Sequence, residues 1–226
     1  MSFASVQIQV SDKLYLRNPQ QSKLGRKIIE QGIFLLDEVG LEAFTFRKLA
    51  KRISSTEASL YRYFENKHYF LVYLLSWYWE WVGFRIDFNT MNVKDPKDRL
   101  IIIVKTIVDT VRLATPASYI DRDALNRIVI SEGTKAYHIK AIDQENKAGF
   151  FVNYKALAGK ITLVIREANP SFPYPKSLAS SLLEMANNQI YFALHMPTLT
   201  DIKIKRKKMN EVEELLTYFV FRLLGI

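Results

Sequence analysis

Cysteine is absent from this sequence, so disulfide frames, thiolate metal sites and cysteine nucleophiles are all excluded. Glycine and proline are scarce, 8 and 7 residues of 226, too few for a collagen-like, low-complexity or linker-dominated chain. Long apolar runs are missing too. The most apolar stretch, Phe70 to Phe84, is interrupted by Ser76 and Glu80 and falls short of the roughly 20 residues that span a bilayer. The first residues lack the basic patch, apolar run and small-residue cleavage site of a secretory signal. The expectation is a cytoplasmic protein that does not engage a membrane. Enzyme signatures are likewise absent: there is no Gly-x-Ser-x-Gly elbow, no Gly-x-Gly-x-x-Gly turn and no Walker loop. Histidine occurs only at positions 68, 138 and 195. One Glu-x-x-His, Glu65 to His68, has the spacing of two ligands on a helical face, but a di-iron bundle needs a second copy. No catalytic residue, metal or cofactor is therefore expected.

What the chain does have is apolar content and positive charge. Hydrophobic residues make up 49%, enough at this length for a substantial core. The formal net charge is +9, which favours a polyanionic partner. Much of that excess is local: Arg47, Lys48, Lys51, Arg52, Arg62 and Lys67 face only Glu57 and Glu65 within residues 45–67. A denser run, Lys203, Lys205, Arg206, Lys207 and Lys208, reads as solvated surface.

Periodicity is helical almost throughout. The exception is Val6 to Val10, which alternates like a strand but stands alone, so residues 1–18 read as an arm. Asn18-Pro19 starts a first helix over about 20–39, with Ile28, Ile29, Gly32, Ile33, Leu36 and Val39 as its apolar stripe and a left-handed stop at Gly40. Thr45 caps a two-turn helix that buries Phe46, Leu49, Ala50 and Ile53. After the Ser54-Ser55 break, Thr56 caps a third helix with Leu60, Tyr63 and Phe64 inward. Asn66 caps a fourth, running to about Gly83. Further helices are expected from Asp95-Pro96 through the Leu100 to Leu113 run, over 121–132, over about 139–168, over 177–195 and over 210–224. A rigid triple-proline loop lies at 170–175. The fold class is all-α.

The order of Gly40-Leu41-Glu42-Ala43-Phe44-Thr45-Phe46-Arg47-Lys48-Leu49-Ala50, Thr56, Leu60-Tyr61-Arg62-Tyr63-Phe64 and Asn66-Lys67 resembles the DNA-binding domain of tetracycline-repressor-like regulators over about residues 22–75. That resemblance implies a helix-turn-helix DNA-binding domain at 20–67, a ligand-binding and dimerisation domain at 68–226, and a homodimer that binds a double-stranded DNA operator. It also places phosphate-binding side chains at Tyr61 and Lys67. The residues themselves read consistently with this. A recognition helix offers its first turns to base edges while flanking groups grip phosphates. Thr45, Arg47, Thr56, Glu57, Ser59, Tyr61, Arg62, Tyr63 and Lys67 are the candidate DNA contacts. Arg47 suits guanine or phosphate, Arg62 a base or the backbone, and Glu57 a cytosine amine. Tyr63 either joins them or packs in the core. Relatives usually carry glycine where this chain has Ser54, because the turn favours positive φ; serine there costs on the order of 1 kcal/mol or selects a slightly different turn.

The remaining helices carry more apolar surface than one bundle seam needs, so a cavity for a small apolar or aromatic effector is expected among them. Tyr119, Tyr137, His138, Asn153 and Tyr154 are its candidate polar contacts. Leu178, Leu182, Met185, Ala186, Gln189 and Phe192, with Val212, Leu215, Leu216, Phe219, Val220 and Leu223, form two stripes suited to an isologous four-helix interface, although the protomer's own core competes for them. The function expected is a ligand-responsive transcriptional regulator, acting as a repressor. The alternatives are a helical ligand-binding or scaffold protein that no longer binds DNA, and a helical-bundle enzyme.

Overall fold

A computed structural model describes residues 8–108, 117, 119–204 and 209–226. Val6 and Gln7 of the alternating stretch, the end of the Leu100 to Leu113 run, and the basic residues Lys205, Arg206, Lys207 and Lys208 lie outside them. Ten α-helices occur among the described residues: α1 (Lys23–Ala43), α2 (Phe46–Arg52), α3 (Glu57–Tyr61), α4 (Lys67–Thr90), α5 (Pro96–Val108), α6 (Arg122–Glu132), α7 (Ile142–Ala148), α8 (Val152–Ala168), α9 (Pro175–His195) and α10 (Asn210–Leu224). No strand occurs among the described residues, so the fold is all-α as expected. None of these helices alone is long and apolar enough to cross a membrane.

Most boundaries sit where a local cap dictates. The Ser22, Thr45, Thr56 and Asp121 side chains each accept a backbone N–H at the start of α1, α2, α3 and α6, satisfying donors that the helix cannot. Several boundaries differ from expectation. Asn18 caps only a short 3₁₀ turn, Pro19–Gln21, and α1 begins after it. Gly40 takes φ 69° yet bends the helix rather than ending it, and α1 resumes to Ala43. The stretch 139–168 is not one helix: α7 ends at Gly149, whose φ of 87° is left-handed, and α8 starts three residues on.

The chain divides into two compact units. Unit 1 holds residues 1–80 and 113–153, and unit 2 holds 81–112 and 154–226. In unit 1, Ile28, Ile29, Ile33 and Leu36 of α1 are buried, as are Leu49, Leu60, Phe70, Tyr73, Trp77, Leu125 and Ile128. Here α6 lies against α1, and Arg127 clamps Asp37 with nitrogen–oxygen distances of 2.6 and 3.0 Å. The contacts thus group α6 and α7 with the three-helix module, a different division from the expected one at 67/68. The arm is not loose over its described part: Ile8, Val10 and Leu14 are buried. In unit 2, α5, α9 and α10 pack together, burying Ile103, Leu182, Ala186, Val212, Leu216 and Val220. Ion pairs Arg99–Glu167 and Lys160–Asp87 brace its surface.

Candidate nucleic-acid interface

The α2–turn–α3 segment is shaped by two hydroxyl caps and one strained residue. Thr45 Oγ1 accepts from the Lys48 N–H at 3.2 Å. Thr56 Oγ1 accepts from the Ser59 N–H at 3.3 Å and shares a 2.8 Å bond with the Ser59 hydroxyl. Between the helices Ser54 has φ 55°, the left-handed turn that its position implied. Phe46, Leu49, Ala50, Ile53 and Leu60 are buried and hold the two helices together. Tyr61 lies 47% exposed; its ring packs edge-on against Phe46 at 5.1 Å and its hydroxyl approaches the Glu57 carboxylate at 3.4 Å. The outer face of α3 therefore shows hydroxyls, one carboxylate and a tyrosine.

The cations of the module sort into tied and untied groups. Arg52 is bound bidentately to Glu38 at 2.6 and 2.8 Å and also reaches Gln31 at 3.1 Å. The hydrogen bonds from Arg52 hold the Glu38 carboxyl below its ordinary range. Lys48 donates to the Ala43 carbonyl at 2.7 Å, and Lys67 donates to the Leu41 and Glu42 carbonyls at 2.8 and 3.1 Å. These ammonium groups finish the C-terminal end of α1, whose last carbonyls have no partner in the helix. Arg47, Lys51 and Arg62 are exposed and have no carboxylate partner among the described residues. Thr45 and Thr56 are exposed with them, while Glu57 and Ser59 are half-buried.

Tyr63 requires correction as a candidate DNA contact. It is only 3% exposed, and its hydroxyl pairs with the Ser22 hydroxyl at 2.8 Å. The i, i+3 spacing with Leu60 turned it inward, so its polar tip serves the cap of α1.

Residues 28–73 match the family described as bacterial regulatory proteins, tetR family. The matched segment holds most of α1, all of α2 and α3, and the start of α4. No curated protein matches its sequence. Solved structures share its fold. A bacterial regulatory protein in the tetR family from Rhodococcus RHA1 is 14% identical, with 90% of this chain and 97% of that one covered at a TM-score of 0.62. AibR, solved in complex with isovaleryl coenzyme A and operator DNA, is 15% identical, with 88% and 98% covered at 0.55. The ketosteroid transcriptional regulator KstR2 of Mycobacterium tuberculosis is 14% identical, with 97% of each chain covered at 0.54. At these identities the likeness speaks for the fold.

Outside the matched segment, the five candidate effector contacts do not share one wall. The Tyr119 hydroxyl donates to Gln20 Oε1 at 3.2 Å, and burial pushes its phenol up. The Tyr137 hydroxyl accepts from the Trp79 indole at 3.0 Å. Asn153 is buried and donates to the Gln9 carbonyl at 3.2 Å and to Glu80 at 2.8 Å. Tyr154 belongs to unit 2, where its hydroxyl donates to Glu184 at 2.7 Å. His138 alone of the five lines an open cleft of about 340 Å³ in unit 1, with Leu41, Glu42, His68, Thr134, Lys135 and Ile139. That cleft has both polar and apolar walls, and its His68 pairs with Glu145 of α7 at 2.9 Å. The expected residues are mostly engaged in packing bonds, because tyrosines and asparagines at helical spacing satisfy internal donors as readily as they greet a ligand.

Proposed function

We propose that this protein is a ligand-responsive transcriptional regulator, acting as a repressor, that reads a pseudo-palindromic operator as a homodimer in the cytoplasm. The observation that carries the reading is the selective freedom of Arg47, Lys51 and Arg62 on the exposed face of α2 and α3, while Arg52 is tied to Glu38 and Lys48 and Lys67 give only part of their three N–H donors to backbone carbonyls. Untied guanidinium groups around a short capped helix suit phosphate and base-edge contacts in a major groove. Residues 20–67 are the reading head, with Thr45, Arg47, Thr56, Glu57, Ser59, Tyr61, Arg62 and Lys67 as its DNA-facing set. Residues 68–226 supply effector binding and dimerisation. The AibR complex with isovaleryl coenzyme A and operator DNA supports a fold that serves both partners, and the effector here is a small, largely apolar or aromatic molecule.

Two reading heads would enter successive grooves about one helical turn apart. An effector that prefers one dimer state by about 1–3 kcal/mol is enough to switch occupancy. The chemistry is binding rather than catalysis. Selection of duplexes from a random pool by the purified full chain tests the reading: enriched paired half-sites with centres about 10 base pairs apart, and steep salt dependence, are expected. A pool without enrichment, bound as weakly at low salt as at high, would overturn it.

A further inference from the structure

The family match begins at residue 28, yet the chain ahead of it is built into the reading head. Ser22 caps α1 through a 3.0 Å bond from the Gly25 N–H, and Asn18 caps the turn at Pro19–Gln21 through a 2.9 Å bond from the Gln20 N–H. That turn lies so close to α1 that a Cβ on Gly25 would meet the Pro19 carbonyl oxygen at 2.3 Å. Arg26 secures it from the helix side, donating to the Gln20 carbonyl at 2.8 Å. Further back, the Leu16 N–H donates to the Tyr63 carbonyl at 2.8 Å. The arm is therefore fastened to the residue that follows Arg62, just beyond the recognition helix.

Arg17 is the next residue along. It is exposed, and its guanidinium carbon stands 5.5 Å from the centroid of the Tyr63 ring. Among the described residues it has no carboxylate partner. A guanidinium over an aromatic face is held by the ring while its N–H edge stays available, and that edge matches two phosphate oxygens. Tyr63 itself is anchored at both ends, by the Leu16 amide at its carbonyl and by Ser22 at its hydroxyl. The platform under Arg17 is thus rigid, so little freedom remains to be lost when the side chain meets an anion.

We infer that Arg17 is a further phosphate contact of the reading head, positioned by Tyr63 alongside Arg62, so that the arm widens the DNA footprint beyond the helix-turn-helix. The inference rests on the DNA-reading function proposed above. It gives the buried tyrosine a role that its burial had removed: Tyr63 does not touch DNA but holds a residue that does. Arg17 lies outside the matched family segment.

The test is the salt dependence of duplex binding by the full-length protein, using the duplex recovered by selection and an unrelated duplex of equal length. For Arg17→Ala the slope of log affinity against log salt falls by about 1, and both duplexes weaken by the same factor. Arg17→Lys keeps the charge and retains the wild-type slope. Tyr63→Leu removes the platform and matches Arg17→Ala, and adding Arg17→Ala to it brings no further loss. If Arg17→Ala binds with the wild-type slope while Arg62→Ala lowers it, the inference is overturned and the DNA-reading function stands. If the wild-type protein shows no salt-dependent binding, the function fails and takes the inference with it.

Discussion

Ser54 shows what a single dihedral angle costs. Its φ of 55° puts Cβ near the following carbonyl, a strain on the order of 1 kcal/mol that glycine does not suffer. Glycine also gains freedom in the unfolded chain, which returns part of that advantage. Ser54→Gly is expected to raise unfolding stability by roughly 0.5–1 kcal/mol in denaturant titrations and to leave DNA affinity unchanged; a loss of stability would mean that the hydroxyl contributes. Tyr73 makes the complementary case. Burial pushes its phenol well above the ordinary value of 10.0, and its hydroxyl, beside Gln20, is buried without a partner of good geometry among the described residues. Above about pH 10 the unfolded phenol ionises while the folded one stays neutral, so the unfolded state binds fewer protons and stability falls as pH rises. Tyr73→Phe should flatten that alkaline limb and, near neutrality, change stability by no more than about 1 kcal/mol. An unchanged limb would place the ionisation elsewhere. The caps at Thr45, Thr56 and Asn66 were legible from the sequence because a hydroxyl or amide beside a helical stripe acts on its own neighbours. The fate of Tyr63 was not, since one spacing places it inward and one motif places it outward, and only the Ser22 hydroxyl, 41 positions away, decides.

At the scale of elements, what was readable was what repeats locally. The stripes of α2, α6 and α10 follow from 3.6-residue periodicity and fell close to their expected bounds. The helix expected over 139–168 failed because Phe150 and Phe151 continue the apolar rhythm across Gly149, and rhythm carries no information about φ. Conversely, α4 runs past Gly83 to Thr90, because burial of Trp81, Val82 and Ile86 outweighs the roughly 1 kcal/mol that an internal glycine costs. Lys67 is an element-scale residue for a different reason: it starts α4 and finishes α1 with one ammonium group. Lys67→Met should lower stability by about 0.5–1.5 kcal/mol, since two carbonyls lose a donor. Arg62→Met, whose side chain has no partner to lose among the described residues, should leave thermal unfolding unchanged and weaken duplex binding. Paired melts and binding titrations separate the two; equal stability for both variants would show that the Lys67 bonds contribute nothing and free it for phosphate alone.

For the whole molecule the decisive question is which apolar surface each protomer keeps for itself. The stripes on α9 and α10 serve two masters. Leu178, Leu182 and Ala186, with Val212, Leu216 and Val220, are buried within the protomer's own unit 2, whereas Tyr218, Phe219 and Leu223 of α10 and Leu194 near the end of α9 stay exposed. Periodicity could not divide them, because a core-facing residue and an interface-facing residue obey the same spacing and differ only in which helix arrives to cover them. The exposed set is the surface on which the proposed dimer depends, and a stable pair needs about 800 Å² from each partner. Replacing Phe219 and Leu223 together, as Phe219→Lys with Leu223→Glu, should yield monomers by sedimentation with helical content intact, since neither side chain belongs to the buried core. A monomer engages one half-site at a time and forfeits the linked second contact, so affinity for a two-half-site duplex should fall by about 10²–10⁴, while affinity for an isolated half-site stays at its wild-type value. A double variant that remains dimeric would move the interface off α10.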